Sequence, residues 1–287
     1  MHQPPYHLHL PECRSSSLIF ASPHSGSDYA PEFLERAVLG PLAMRSSEDA
    51  FVDQLVGTAP KYGVPLLAAR VPRAYVDLNR GRDELDPALI EGVRIPLPNL
   101  RVASGLGVIP RVVSNGRAIY RGKLPLSEAE RRLRQVWDPY HACLRGLIDD
   151  HLARFGEAVV IDWHSMPHDA IQGAARGAGK CPDVVLGDRH GASASGEVVA
   201  RVEAALGAAG LRVARNAPFA GVFVAEHYGR PLRGVHVVQI EIDRALYMDE
   251  RNVHPRADFT QFQQLMNGVI AAIAGQEQAG EQTLAAE

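Results

Sequence analysis

Ala158-Val159-Val160-Ile161-Asp162-Trp163-His164-Ser165 is the stretch on which the fold turns. The short apolar run reads as a buried strand, and the residues after it carry an imidazole to the strand's carboxyl end. In open α/β sheets that edge is where ligands bind. A second stretch is built the same way: Leu18-Ile19-Phe20-Ala21 runs into Ser22-Pro23-His24-Ser25-Gly26. A third apolar strand, Val235-His236-Val237-Val238-Gln239-Ile240, ends at Glu241. Two imidazoles and carboxylates gathered at one sheet edge point to a hydrolytic metal site.

Outward from these strands the chain alternates. Residues 17–22, 66–71, a short 74–77, 158–162, 183–187, 211–215 and 235–242 read as strands. Helices are expected over 31–38, 46–60, 195–209 and 257–274. The clearest helix starts at Ser127-Glu128-Ala129-Glu130, read as a capping box, and continues through Leu133, Val136, Trp137, Tyr140, Leu144, Leu147 and Ile148. Pro139 should kink it. Residues 83–118, rich in Pro and Gly, read as a long irregular excursion, and such loops are often functional. Alternating strands and helices give an α/β class with one mixed, mostly parallel sheet flanked by helices. The expected layout is a flexible N-terminus over 1–16, one catalytic domain over 17–275 and a disordered tail over 276–287.

The 287 residues, 46% of them apolar, suffice for a substantial core. A net charge of -3 spread along the chain gives no nucleic-acid footprint and no membrane-binding polybasic run. The three cysteines show no CxxC, which argues for a reducing compartment and against thiolate ligands. With no signal-like start and no membrane-spanning run, a soluble cytoplasmic protein is the expectation. There is no Gly-x-Ser-x-Gly elbow, phosphate-cradling loop or dinucleotide fingerprint, so serine hydrolase, nucleotide hydrolase and dehydrogenase readings lose ground.

Other polar clusters stand beside the histidines. Asp77-Leu78-Asn79-Arg80 could hold a carboxylate on the Arg fork, or pair Arg80 internally with Asp77 or Asp83. Glu48 and Asp49 open a predicted helix, where acids serve the dipole or turn inward as oxygen ligands. Strand alternation puts Asp162 on the face of His164, where it could fix the imidazole's tautomer or else cap the next turn. Glu241 at the end of a buried strand needs a partner or a function. Asp188-Arg189-His190-Gly191 and Glu226-His227-Tyr228-Gly229 could each line a pocket.

Taken in order, several short segments resemble the N-formylglutamate amidohydrolase family. They are Ser22-Pro23-His24-Ser25-Gly26, Val76-Asp77-Leu78-Asn79-Arg80, Tyr120-Arg121-Gly122, Pro139-Tyr140-His141, Asp162-Trp163-His164-Ser165-Met166-Pro167, Leu186-Gly187-Asp188-Arg189-His190-Gly191, and residues 239–247 from Gln239 to Tyr247. The resemblance covers about residues 17–270. Two segments depart from the family's pattern: Glu48-Asp49-Ala50 stands in place of Thr-Asp-Trp, and Phe219-Ala220-Gly221-Val222-Phe223 in place of Phe-x-Gly-Gly-Tyr.

The family looks like a distant relative of the zinc carboxypeptidases, which implies a zinc-exopeptidase-like (phosphorylase/hydrolase-like) fold. The implied activity is zinc-dependent hydrolysis of N-formyl-L-glutamate to formate and glutamate, a late step of histidine breakdown. One zinc ion per chain is implied on His24, Asp49 and His164, with Glu48 the alternative to Asp49. Glu241 is the implied general base, and Asn79 and Arg80 are the implied carboxylate anchor. A cation that stabilises the oxyanion is expected from Arg121 or His190. The expected partner is a small N-acyl amino acid, with no nucleic acid and no membrane. A metallo-amidohydrolase for another small amide, and a non-catalytic carboxylate-binding protein, are the alternatives.

Overall fold

In the computed structural model, which describes residues 3–94, 99–113, 116–174 and 181–275, the stretch at 158–166 is the middle strand of a seven-stranded sheet. The strands are β1 (Tyr6–His9), β2 (Leu18–Ser22), β3 (Leu66–Ala69), β4 (Ala158–Met166), β5 (Val184–Gly187), β6 (Val213–Arg215) and β7 (Val235–Asp243). Their order across the sheet is β1-β3-β2-β4-β7-β5-β6. β3, β2, β4 and β7 run parallel, β1 is antiparallel to β3, and β5 is antiparallel to β7 with β6 parallel to it. The mixed, mostly parallel α/β sheet is therefore as expected.

The helices are α1 (Pro31–Arg36), α2 (Pro41–Arg45), α3 (Val52–Leu55), α4 (Leu100–Ala103), α5 (Leu126–Arg132), α6 (Asp138–Phe155), α7 (His168–Ala174), α8 (Gly196–Ala208), α9 (Phe223–Tyr228) and α10 (Phe259–Ile273). They and the loops cover both sheet faces. On one face Ile19, Leu67, Val160 and Val237 pack with Tyr140, Leu144 and Ile148 of α6 and with Val108 and Ile109 of the excursion. On the other Phe20, Ile161, Trp163 and Ile240 pack with Val199 and Val202 of α8 and Met266 and Ile270 of α10. Burial on both faces explains why the parallel strands read as continuous apolar runs. Each such side chain contributes roughly 1.5–3 kcal/mol relative to exposure. Among the described residues no helix is long and apolar enough to cross a membrane.

Several local expectations are corrected. The segment expected as a flexible terminus includes β1, which closes the β3 edge in the register Tyr6↔Ala69 to His9↔Leu66. His7, Leu8 and His9 are exposed, so backbone pairing rather than burial of one face holds it, and the short Tyr6-His7-Leu8-His9 alternation is the only sequence signal there. Residues 74–77 form a turn rather than a strand, with Tyr75 and Val76 N–H donating back to the Pro72 carbonyl. The helix expected over 46–60 breaks into α3 and a separate 3₁₀ turn at Ala59–Tyr62. The capping box does not form: α5 begins at Leu126 after Pro125, which leaves Ser127 inside its first turn. Pro139 lacks a donor, and the chain absorbs it with a π-helical turn at Leu133–Trp137, where Asp138 N–H reaches back to Leu133. The expected disordered tail, 276–287, lies outside the described residues.

One backbone approach fixes the loop that follows β2. A Cβ placed on Gly26 would come within 2.3 Å of the Val71 carbonyl oxygen. Gly26→Ala must therefore push the loop off β3. The expected outcome is a loss of about 1–3 kcal/mol, the usual scale of overpacking, read as a lower urea midpoint. Because His24 sits two residues earlier, metal retention should fall with it.

Candidate metal centre and its cavity

The parallel register decides which side chains meet. His164 on β4 lies opposite Glu241 on β7, and Asp162 opposite Gln239. The face of β4 that carries Val160 in the core continues with Asp162 and His164, and that of β7 passes from Val237 to Gln239 and Glu241. One sheet face thus turns from apolar to polar at its carboxyl end. β2 runs parallel beside β4 and delivers His24 just past its own end. Asp49 is brought in from a loop whose backbone N–H donates to the His24 carbonyl at 3.0 Å. Phe51, two residues on, adopts a left-handed conformation (φ 66°) where α3 begins.

His24, Asp49 and His164 are all buried, and one ligand atom from each lies within 4.8 Å of the others. Asp49 Oδ2 is 2.9 Å from His164 Nδ1 and 3.3 Å from His24 Nδ1. Each imidazole turns its other nitrogen to a carboxylate. His24 Nε2 donates to Asp77 at 2.7 Å, and His164 Nε2 to Asp162 at 3.0 Å. These carboxylates fix both tautomers so that the Nδ1 atoms face Asp49, the usual arrangement behind ligating histidines. His24 Nδ1 is a buried polar atom without a hydrogen bond. An orphaned imidazole nitrogen, a second imidazole and a carboxylate fit a divalent cation by donor type.

The electrostatics agree. Burial acts against the His164 charge, but Asp162 and Asp49 outweigh it and hold the imidazole well above its ordinary value. Burial would likewise raise Asp49, yet the hydrogen bond from His164 and the nearby imidazole of His24 keep it well below the usual carboxylate range. Burial pushes Glu241 up to about 7, with Asp49 adding to the rise and the positive charge of His164 opposing it. The Glu241 carboxylate accepts one hydrogen bond, from Gln239 at 2.7 Å, and forms no ion pair among the described residues.

These groups line a cavity of about 530 Å³. Of the residues singled out from sequence, it gathers His24, Asp49, His164, Glu241, Asn79 and Arg80. Glu48 is not among them. Its carboxylate is bound by Tyr29 at 2.7 Å and Arg45 at 3.0 Å, so it points away from the centre that its neighbour joins. Asn79 is internally committed: its Oδ1 accepts from Val224 N–H at 2.8 Å, and its Nδ2 donates toward Asp162 and Gln239 at 3.4 Å each. Arg80 donates to the Leu106 and Asn79 carbonyls at 3.0 and 2.9 Å.

Two expectations fail on position. Arg121 and His190 are exposed, and neither lines the cavity. The cations that do are Arg73, Arg80, Arg101 and Arg244. Arg73 donates to Asp77 at 2.7 Å, and Arg244 to Asp49 at 2.9 Å. Sequence reading missed Arg73, Arg101 and Arg244 as site groups. Arg73 carried a usable signal, since it stands four residues before Asp77 beside the Asp-x-Asn-Arg segment.

A family model described as N-formylglutamate amidohydrolase matches residues 16–248. The N-formylglutamate deformylase of Pseudomonas aeruginosa is 32% identical over 241 residues, which is 82% of this chain and 83% of that protein. The protein of the same name from Pseudomonas putida is 30% identical over 240 residues, 81% of this chain and 82% of its own. The crystal structure of N-formylglutamate amidohydrolase from Ralstonia eutropha JMP134 is similar with a TM-score of 0.88 and 37% identity, over 94% of this chain and 97% of that one.

The geometry makes the ligand set testable. Protein loaded with a divalent ion should hold about one per chain. His24→Ala, His164→Ala and Asp49→Ala should each lose it, and Glu48→Gln should keep it. Elemental analysis after gel filtration reads this directly, and full occupancy in the His24→Ala and His164→Ala variants would contradict the site. A cation entering the centre must displace the proton that Asp162 and Asp49 hold on His164. Affinity measured by calorimetry should therefore weaken as pH falls, with proton release on binding.

Proposed function

We propose that this chain, which belongs to the N-formylglutamate amidohydrolase family, hydrolyses N-formyl-L-glutamate to formate and L-glutamate, with zinc as the resident ion of the His24–Asp49–His164 centre. The observation that carries the reading is Glu241. It is a buried carboxylate in register with a candidate metal ligand, with no ion pair among the described residues, and raised to about 7 by burial. A base poised there suits proton transfer near neutral pH.

His, Asp and His donors suit zinc, which supplies Lewis-acid activation of water and of the scissile carbonyl when bound. Glu241 takes a proton as the water oxygen adds to the formyl carbon. The carbon–nitrogen bond then breaks, and Glu241 returns the proton to the departing glutamate nitrogen. Arg73 is our candidate for the charge that develops on the carbonyl oxygen, in place of Arg121 and His190. Burial opposes its charge, but Asp77, Asp49 and Glu241 outweigh that and hold the guanidinium above its ordinary value. Arg80 anchors a substrate carboxylate on its planar fork. Asn79, with its amide committed to Val224 and Asp162, positions Arg80 and the wall around it.

Three measurements test this. Glu241→Gln keeps the shape but cannot accept a proton, so turnover of N-formyl-L-glutamate should fall by about 10²-fold or more with the ion retained. Near-normal turnover would assign the base elsewhere. Glu241 must be ionised to act, so kcat/KM should fall as pH drops through its pKa. A bound cation favours the carboxylate, which sets that limb at or below pH about 7, and Glu241→Gln should remove it. Arg73→Met should cost roughly 10²–10³-fold in kcat, the scale of a lost oxyanion donor, whereas Arg121→Ala should stay close to wild type. A panel of N-formyl, N-acetyl and longer N-acyl glutamates reads the acyl preference.

A further inference from the structure

We propose that Arg101 is the second anion anchor of the cavity. It takes the side-chain carboxylate of the formylated amino acid while Arg80 takes the α-carboxylate, and the pair sets the preference for an acidic substrate. The inference rests on the reading of the site as an N-formylglutamate hydrolase and names the residue that selects the glutamate.

Of the four guanidinium groups in the cavity wall, two are ion-paired and a third has only part of its fork bonded. Arg73 is paired with Asp77, Arg244 with Asp49 and Ser165, and Arg80 donates to two backbone carbonyls. The Arg101 side chain makes no hydrogen bond or ion pair among the described residues, although its backbone is firmly held. Asn99 caps α4 by accepting from the backbone N–H groups of Arg101 at 3.0 Å and Val102 at 3.2 Å, and it donates to Glu84 at 3.0 Å. Arg111, fastened to buried Asp86 at 2.8 Å, donates to the Ala103 carbonyl at 3.3 Å.

The same turn links the two cations. Leu106 N–H donates to the Arg101 carbonyl at 2.9 Å, and the Leu106 carbonyl accepts from Arg80 Nε at 3.0 Å. Leu106 therefore ties the backbone that carries Arg101 to the Arg80 side chain. Burial disfavours the Arg80 charge, and the nearby charges of Arg73 and Arg101 disfavour it further, against relief from Asp77. The carboxylates of the cavity, Asp49, Asp77 and Glu241, belong to the metal end. At the other end Arg80 and Arg101 stand beside a wall that includes Leu106 and Val112; Asp77 and Glu84 partly offset the Arg80 charge, and no acidic side chain among the described lining residues pairs with Arg101. A ligand with two carboxylates joined by a short apolar stem meets both cations, and one carboxylate meets only one. This is the shape of an N-formylated acidic amino acid.

The test compares wild type with Arg101→Gln on N-formyl-L-glutamate and on N-formyl-L-glutamine, which keeps the shape and loses the charge. Arg101 is exposed and outside the core, so the variant should fold, and thermal melting checks this. The wild type should prefer the glutamate compound. In the variant that preference should shrink by about 10-fold or more, the scale of a charged hydrogen bond, through KM rather than kcat. Arg101→Lys should restore part of it. An unchanged preference would overturn the assignment. If the zinc-loaded wild type cleaves neither compound, the hydrolase reading fails separately. Calorimetry with L-glutamate and L-glutamine then decides the anchor. A glutamate preference that Arg101→Gln removes supports it, and equal binding of the two amino acids by wild type overturns it.

Discussion

Asp49 is 1% exposed, so protein groups must do for its charge what water cannot. It is shared between two imidazoles on Oδ2 and the Arg244 guanidinium on Oδ1. Behind the imidazoles stand two more buried carboxylates, Asp77 and Asp162. Three carboxylates around two histidines make a box whose donor set fits a dication. Arg73 on Asp77 and Arg244 on Asp49 offset the excess from outside. Removing one partner of such a set strands the others in a dry interior, which costs more than the pair itself contributes.

That arrangement follows from register. His164 and Glu241 face each other because β4 and β7 pair from Ala158↔Val235 without a slip. A shift by one residue would send one of the two to the opposite face, into the apolar layer around Trp163 and Ile240, and part it from the other. The polar ends of the two strands penalise such a slip, because it would carry Asp162 and His164, or Gln239 and Glu241, into that apolar layer. Core packing thus sets the chemistry's geometry, and the polar cluster costs the fold little because it sits where the strands leave the core.

This also explains what could be read from sequence. His24, His164 and Glu241 each end an apolar run, so the pattern that announces the strand also places the side chain. Asp49 was legible only as one of two neighbours. Choosing it needs the turn at Phe51 and the backbone bond from Asp49 to His24, which no periodicity encodes. Arg73 and Arg101 come from turns whose course is fixed by scattered bonds such as Arg111 to Asp86, so they carry no repeat to follow. Arg121 and His190 stand in short family-like segments whose buried members, Tyr120, Leu186 and Asp188, serve the fold, while these two side chains face solvent rather than the cavity. β1 was hidden for a related reason: its contribution is backbone pairing, and three of its four side chains face solvent.

The cavity therefore has two ends with different physical origins. The metal end is built on strand termini of the central sheet, where packing on both faces allows little movement. The anion end is built on the excursion, whose turns are fastened by side-chain bonds from Asn99, Arg111 and Asp86. Changes in residues 99–106 can alter which charge or shape is accepted without touching the register of β4 and β7. Changes at Asp162, Gln239 or Asp77 cannot alter substrate choice alone, because each is bonded to a group of the centre or to Glu241. On the proposed reading of the site, the fold thereby separates the bond-breaking apparatus from the selection of the amino acid.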